Sequence, residues 1–76
     1  MNTETEKKIG ENIKKLRLNA KMTQDVLAAK MQLSGCDITR SAIAKIEVGQ
    51  RHIYPDEIIL LKEILQVSFD DIFCLN

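Results

Sequence analysis

The sequence predicts an all-α fold, a compact five-helix bundle, and three observations carry that expectation. Apolar residues recur at spacings of three and four along most of the chain. Pro occurs once and Gly three times in 76 residues, so turns should be few and short. Successive segments open on a Thr, Ser or Pro placed where a helix can start. A chain of this length makes one domain, residues 1–76.

Each element follows from local signals. Thr3 and Glu6 have capping-box spacing, and a first helix can run from there to about Ala20. Ile9, Ile13, Leu16 and Ala20 form its apolar stripe, with Lys7, Lys8, Lys14 and Lys15 outside it. Thr23 is a natural N-cap for a second helix, Gln24 to Met31, that buries Leu27, Ala28 and Met31. Leu33 to Asp37, with Gly35 inside, reads as an ordered loop whose ends are pinned by Leu33 and Ile38. Thr39 caps a third helix, Arg40 to Val48, with Ile43 and Ile46 inward. Gly49 stops it, because a left-handed backbone costs least at glycine. Pro55 fits the first turn of a fourth helix that reaches about Leu65. Ser68, with Asp71 three residues on, opens a short fifth helix ending near Phe73. The short connections close these into a bundle. Its core should combine Ile9, Ile13, Leu16, Leu27, Met31, Ile43, Ile46, Ile58, Leu61, Leu65, Val67, Ile72 and Phe73.

Composition narrows the function. No apolar run is long enough to span a membrane, and the N-terminus has no signal-peptide character, so a cytoplasmic location is the default. Cys36 and Cys74 lie far apart without CxxC spacing; they read as free thiols, with a redox switch or metal site as the alternative. His52 is the single histidine, and no cluster of metal ligands exists, so neither a metal nor a cofactor is expected. Net charge is zero, but its distribution is uneven. Residues 7–53 hold ten of the eleven Lys and Arg and four of the eleven acids. A basic middle with acidic ends suits a protein that presents one face to phosphates, although solvated helix surfaces can reach the same totals by chance.

The third helix is the informative one. One side is apolar, and the wet side carries Arg40, Ser41 and Lys45 with the small Ala42 and Ala44 between them. A short helix of that kind suits the DNA major groove. An Arg40 guanidinium can pair bidentately with guanine O6 and N7, a contact worth about 1–3 kcal/mol of discrimination. Ser41 can reach a base or a phosphate, and Lys45 guanine or the backbone; the plain alternative for Arg40 and Lys45 is a solvated helix face. Gln24, at the start of the second helix, can hold a phosphate oxygen beside the helix's free N–H groups. Thr39 caps first and can touch phosphate second.

At this point the residues resemble a known family, the phage-repressor-like (Cro/XRE) helix-turn-helix proteins. The likeness rests on IGENIKKLR, TQDVLAAKM, ITRSAIAKIEVGQR and LKEILQVSFDDIF, in that order, and covers roughly Ile9 to Phe73. It implies a lambda-repressor-like fold whose second and third helices form the helix-turn-helix, and operator binding on double-stranded DNA as a two-fold dimer. It places base readers at the first turn of the third helix, where Arg40 stands. It runs the chain after that helix along the DNA backbone, which makes Gln50, Arg51 and His52 phosphate candidates, Arg51 foremost. It also implies a partly buried structural ion pair between Arg17 and Glu47. One departure is visible: about five extra residues around Leu33–Asp37 lengthen the turn, as in a subgroup with a loop in its place.

The fourth helix carries Ile58, Ile59, Leu60, Leu61, Ile64 and Leu65, too many apolar residues for one helix of a small bundle to bury. Ile59, Leu60 and Ile64 with the Phe73–Leu75 tail read as a homodimer seam, or as deeper packing against the first helix and the tail. The leading function is a DNA-binding transcriptional regulator without a small-molecule substrate. The alternative is a protein-interaction module or antitoxin-like subunit on the same fold. Catalysis is not expected: there is no carboxylate pair in a catalytic context and no Gly-rich phosphate loop.

Overall fold

The computed structural model describes residues 3–75 and holds five helices: α1 (Thr3–Asn19), α2 (Gln24–Leu33), α3 (Arg40–Glu47), α4 (Pro55–Leu65) and α5 (Phe69–Phe73). α1 packs on α3 and α5, and α2 packs on α3 and α4, so α3 is held from two sides.

The starts obey the capping signals. Thr23 and Thr39 are extended and each accepts a hydrogen bond from the backbone N–H three residues on, Val26 and Ala42, both at 3.1 Å. Pro55 occupies the first turn of α4, and the Glu57 carboxylate accepts from the Tyr54 N–H at 3.0 Å. Ser68 and Asp71 form a reciprocal capping box at 3.0 and 3.1 Å. α1 begins differently. Thr3, the first described residue, is already helical, and the Glu6 carboxylate is directed at His52.

The stops use left-handed residues. Lys21 (φ 59°) ends the turn after α1, and Gln66 (φ 57°) ends α4. Gly49 (φ 78°) follows α3, where the Gln50 N–H reaches back to the Lys45 carbonyl at 2.8 Å and satisfies a terminal acceptor.

The core consists of Ile9, Ile13, Leu27, Ala28, Met31, Ile38, Ile43, Ile46, Leu61, Leu65 and Ile72. Leu16, Ile58 and Val67 pack against it half-buried. Phe73 departs from expectation, at 44% exposed. Ile72 fills the slot beneath α5, and the next residue of a helix points about 100° away from it.

The α2–α3 connection also differs from expectation. α2 continues two residues past Met31, so Leu33 is helical and 89% exposed, and pins nothing. Ile38 supplies the main apolar anchor, at 2% exposed, with Cys36 packed partly buried against the core. The rest of the connection is tied by hydrogen bonds. The Cys36 N–H donates to the Met31 carbonyl at 3.0 Å, and Gln32 Nε2 donates to the Ile38 carbonyl at 2.7 Å. α3 ends one residue early, with Val48 as its C-cap.

α1 and α3 meet closely at Gly10, where a Cβ would overlap the Ile46 carbonyl oxygen. The C-terminal tail is fastened by buried Asn12, whose Nδ2 donates to the carbonyls of Ile72 at 2.9 Å and Cys74 at 2.6 Å.

Candidate nucleic-acid interface

α3 turns Ile43, Ile46 and Glu47 into the core and leaves Arg40, Ser41 and Lys45 exposed. Ser41 and Lys45, four residues apart, lie along one side of the helix, and Arg40 stands beside Ser41 at its first turn. Ala42 and Ala44 are half-buried between the two faces and add no bulk. The Thr39 hydroxyl oxygen accepts the cap hydrogen bond, so this residue fixes the helix start from which Arg40 projects.

Beneath α3 sits a buried polar network. Arg17 Nε and Nη2 donate to the two Glu47 carboxylate oxygens at 2.7 and 3.0 Å, with side chains 7% and 1% exposed. Arg17 Nη1 donates to the Met22 carbonyl at 2.8 Å. The Glu47 hydrogen bond is the main reason the Arg17 pKa is raised, outweighing desolvation, so the guanidinium stays charged. Gln24 Nε2 joins at 3.0 Å from Glu47 Oε1, which ties the start of α2 to the end of α3. One amide hydrogen of Gln24 is used there, and the amide carries a second. This network sets the relative placement of α1, α2 and α3 without any contact through the lengthened loop.

The segment after α3 is engaged within the protein. Arg51 donates to both Glu57 carboxylate oxygens at 2.9 and 3.0 Å and to the His52 carbonyl at 2.9 Å. Its guanidinium also lies 5.4 Å from the centre of the Tyr54 ring. Burial pushes the Glu57 carboxyl up, but the Arg51 hydrogen bonds, the Tyr54 N–H and the Arg51 charge outweigh it and hold the pKa down. The His52 Nδ1 stands 2.9 and 3.1 Å from the Glu6 carboxylate. An ionised carboxylate only accepts, so Nδ1 carries the proton and Nε2 faces away from it. Gln50 is exposed. Arg40 makes one loose ion pair, Nε to Asp25 Oδ1 at 3.6 Å, with side chains 65% and 77% exposed.

These partners were not foreseen from sequence. The Arg51–Glu57, His52–Glu6 and Gln24–Glu47 contacts join residues outside helical spacing or on different elements. The one available signal was Tyr54-Pro55-Asp56-Glu57, where an acid at the third helical position marks Glu57 as a backbone ligand.

A family model described as helix-turn-helix, of the Cro/C1 type, matches residues 13–72. The chain belongs to this helix-turn-helix family. As an XRE-type helix-turn-helix protein it is a DNA-binding regulator, and the family is not one of enzymes. Its helix-turn-helix is α2 and α3, with residues 34–39 as the turn. No curated protein and no solved structure shows significant similarity to the chain.

Cys36 of this helix-turn-helix protein is half-buried in the turn, and Cys74 is exposed in the tail; neither forms a disulfide. Burial, then the Glu57 and Asp56 carboxylates, push the Cys36 thiol up, which favours its protonated form. Among the described residues no group of His, Cys, Asp and Glu could hold a metal, and no helix is long and apolar enough to cross a membrane.

Proposed function

We propose that the protein is a cytoplasmic transcriptional regulator that acts by occupying a specific operator as a two-fold dimer. The observation that carries this reading is the exposed cationic face of α3, held by core contacts on its opposite side. Arg40 reads a base edge by a bidentate pair to guanine, with Ser41 and Lys45 along the same face. Gln24, through its second amide hydrogen, and Thr39 take phosphates at the helix starts. Gln50, Arg51 and His52 follow the backbone. Of these, Arg51 contributes mainly positive potential, because its donors are shared with Glu57; the exposed Gln50 is placed to donate, whereas His52, whose Nδ1 proton is held by Glu6, gives an Nε2–H to a phosphate only as the imidazolium.

Two copies of α3 then enter successive major grooves about 34 Å apart, roughly 10 bp between half-site centres. The dimer seam is the outer side of α4 with the tail. Ile59 is 50%, Phe73 44% and Leu75 56% exposed, and Leu60 and Ile64 are half-buried. Asn12 holds the tail in place for that contact.

Selection from random duplex DNA followed by footprinting tests the reading. The expected result is a dyad-symmetric protected site and an affinity that falls steeply with salt. A second reading, a protein-interaction module on the same fold, is supported by the same apolar surface and by the carboxylates that engage Arg51 and His52. It predicts a shallow salt dependence and no selected sequence.

A further inference from the structure

Asp25 stands at the first turn of α2, and its carboxylate meets the Nε edge of Arg40 at the first turn of α3, 3.6 Å away. It is an acid on the surface that carries Arg40, and the operator-binding reading gives it no task. The two side chains line one shallow groove with Leu18, Met22 and Gln24. We propose that Asp25 is a positioning residue for Arg40 that sets sequence discrimination, an inference that rests on the operator-binding reading above.

The chemistry is that of a planar fork. A guanidinium presents its donors along fixed edges, and a carboxylate on the Nε edge leaves the Nη groups free for O6 and N7 of a guanine. Arginine on an exposed helix otherwise samples many rotamers, and restricting it before binding removes part of the ordering cost of the base contact. The second effect is repulsive. Asp25 adjoins Gln24, the residue assigned to a phosphate, so its charge opposes a phosphate that slides toward α2 out of register. When Arg40 is engaged in the correct register, the ion pair offsets that charge.

The test is a double-mutant cycle on the selected operator. Wild type, Asp25→Asn, Arg40→Ala and the double variant are each titrated with the operator and with a duplex that lacks the guanine selected through Arg40. Melting curves run alongside. Positioning predicts that Asp25→Asn reduces the ratio of the two affinities by about two- to five-fold, the scale of an exposed ion pair. It predicts no further reduction in the Arg40→Ala background, and an unchanged melting temperature. Asp25→Glu should recover part of the ratio. If Asp25→Asn tightens both duplexes by one common factor and leaves the ratio intact, the inference is overturned and the operator-binding reading survives. A selected sequence that Arg40→Ala reads as well as wild type overturns the inference together with the assignment of Arg40 as a base reader. A wild-type protein that binds no duplex overturns both.

Discussion

Single residues decide how firmly α3 is presented. Glu47 accepts from Arg17 and Gln24 in a site that is nearly dry, so removing one partner leaves a buried charge unpaired. Glu47→Ala should cost about 3–5 kcal/mol of stability, read as a lowered urea midpoint with unchanged slope; an undiminished melting temperature would remove the structural role. Gly10 is the second control point. Gly→Ala in a helix ordinarily gains about 1 kcal/mol. Here the new methyl meets the Ile46 backbone, so Gly10→Ala should instead destabilise by about 1–3 kcal/mol, because α1 and α3 must move apart. Calorimetry gives the sign directly. Glu57 makes a pH prediction. Its folded pKa is depressed, so the Arg51 pair stabilises the fold above the unfolded value of about 4.3 and loses that contribution as pH falls through the folded value. Glu57→Gln should therefore be less stable than wild type at pH 7, and the gap should close below about pH 4. A gap that stays constant across that window would contradict the assignment.

At the scale of elements, α3 separates two kinds of contact. Arg40→Ala should relax sequence preference, with a loss of about 1–3 kcal/mol confined to cognate DNA. Gln50→Ala, at an exposed residue proposed for a phosphate, should weaken all duplexes about equally and shallow the salt slope by roughly one ion or less. Binding measured on cognate and scrambled duplexes at several salt concentrations separates the two. Most of the element boundaries were legible in the sequence because Thr23, Thr39, Pro55 and Ser68 act locally, through their own side chain or ring, within one turn. The faces of α1, α2 and α3 were legible because helical periodicity is also local. Three features were not. Leu33 reads as an anchor by its hydropathy, yet α2 continues through it and the anchoring falls to Gln32 and Ile38. Phe73 reads as core by size, but one step around α5 places Ile72 inward in its stead. Arg51 reads as a free cation after α3, while its charge is shared with an acid on α4 that no short-range pattern links to it.

For the whole molecule, charge is distributed unevenly along the chain. Zero net charge would leave a uniform sphere without attraction for DNA. Here Arg40 and Lys45 extend from α3, and the exposed acids Glu63, Asp70 and Asp71 lie on α4 and α5 at the other end of the sequence. The proposed apolar seam lies on those same C-terminal elements, so in that proposal recognition and self-association use different helices. Ile59→Glu should accordingly reduce the sedimenting species to a monomer while leaving the melting temperature within a few degrees, and should weaken operator binding through lost dimerisation. A variant that sediments like wild type would remove the seam. The account as a whole stands on α3 meeting DNA through Arg40, Ser41 and Lys45. Its most direct measurement is chemical footprinting of the selected duplex with wild type and Arg40→Ala. The expected result is guanine N7 protection at symmetric positions that vanishes in the variant. Protection confined to the minor groove, or guanine protection identical in both proteins, would contradict it.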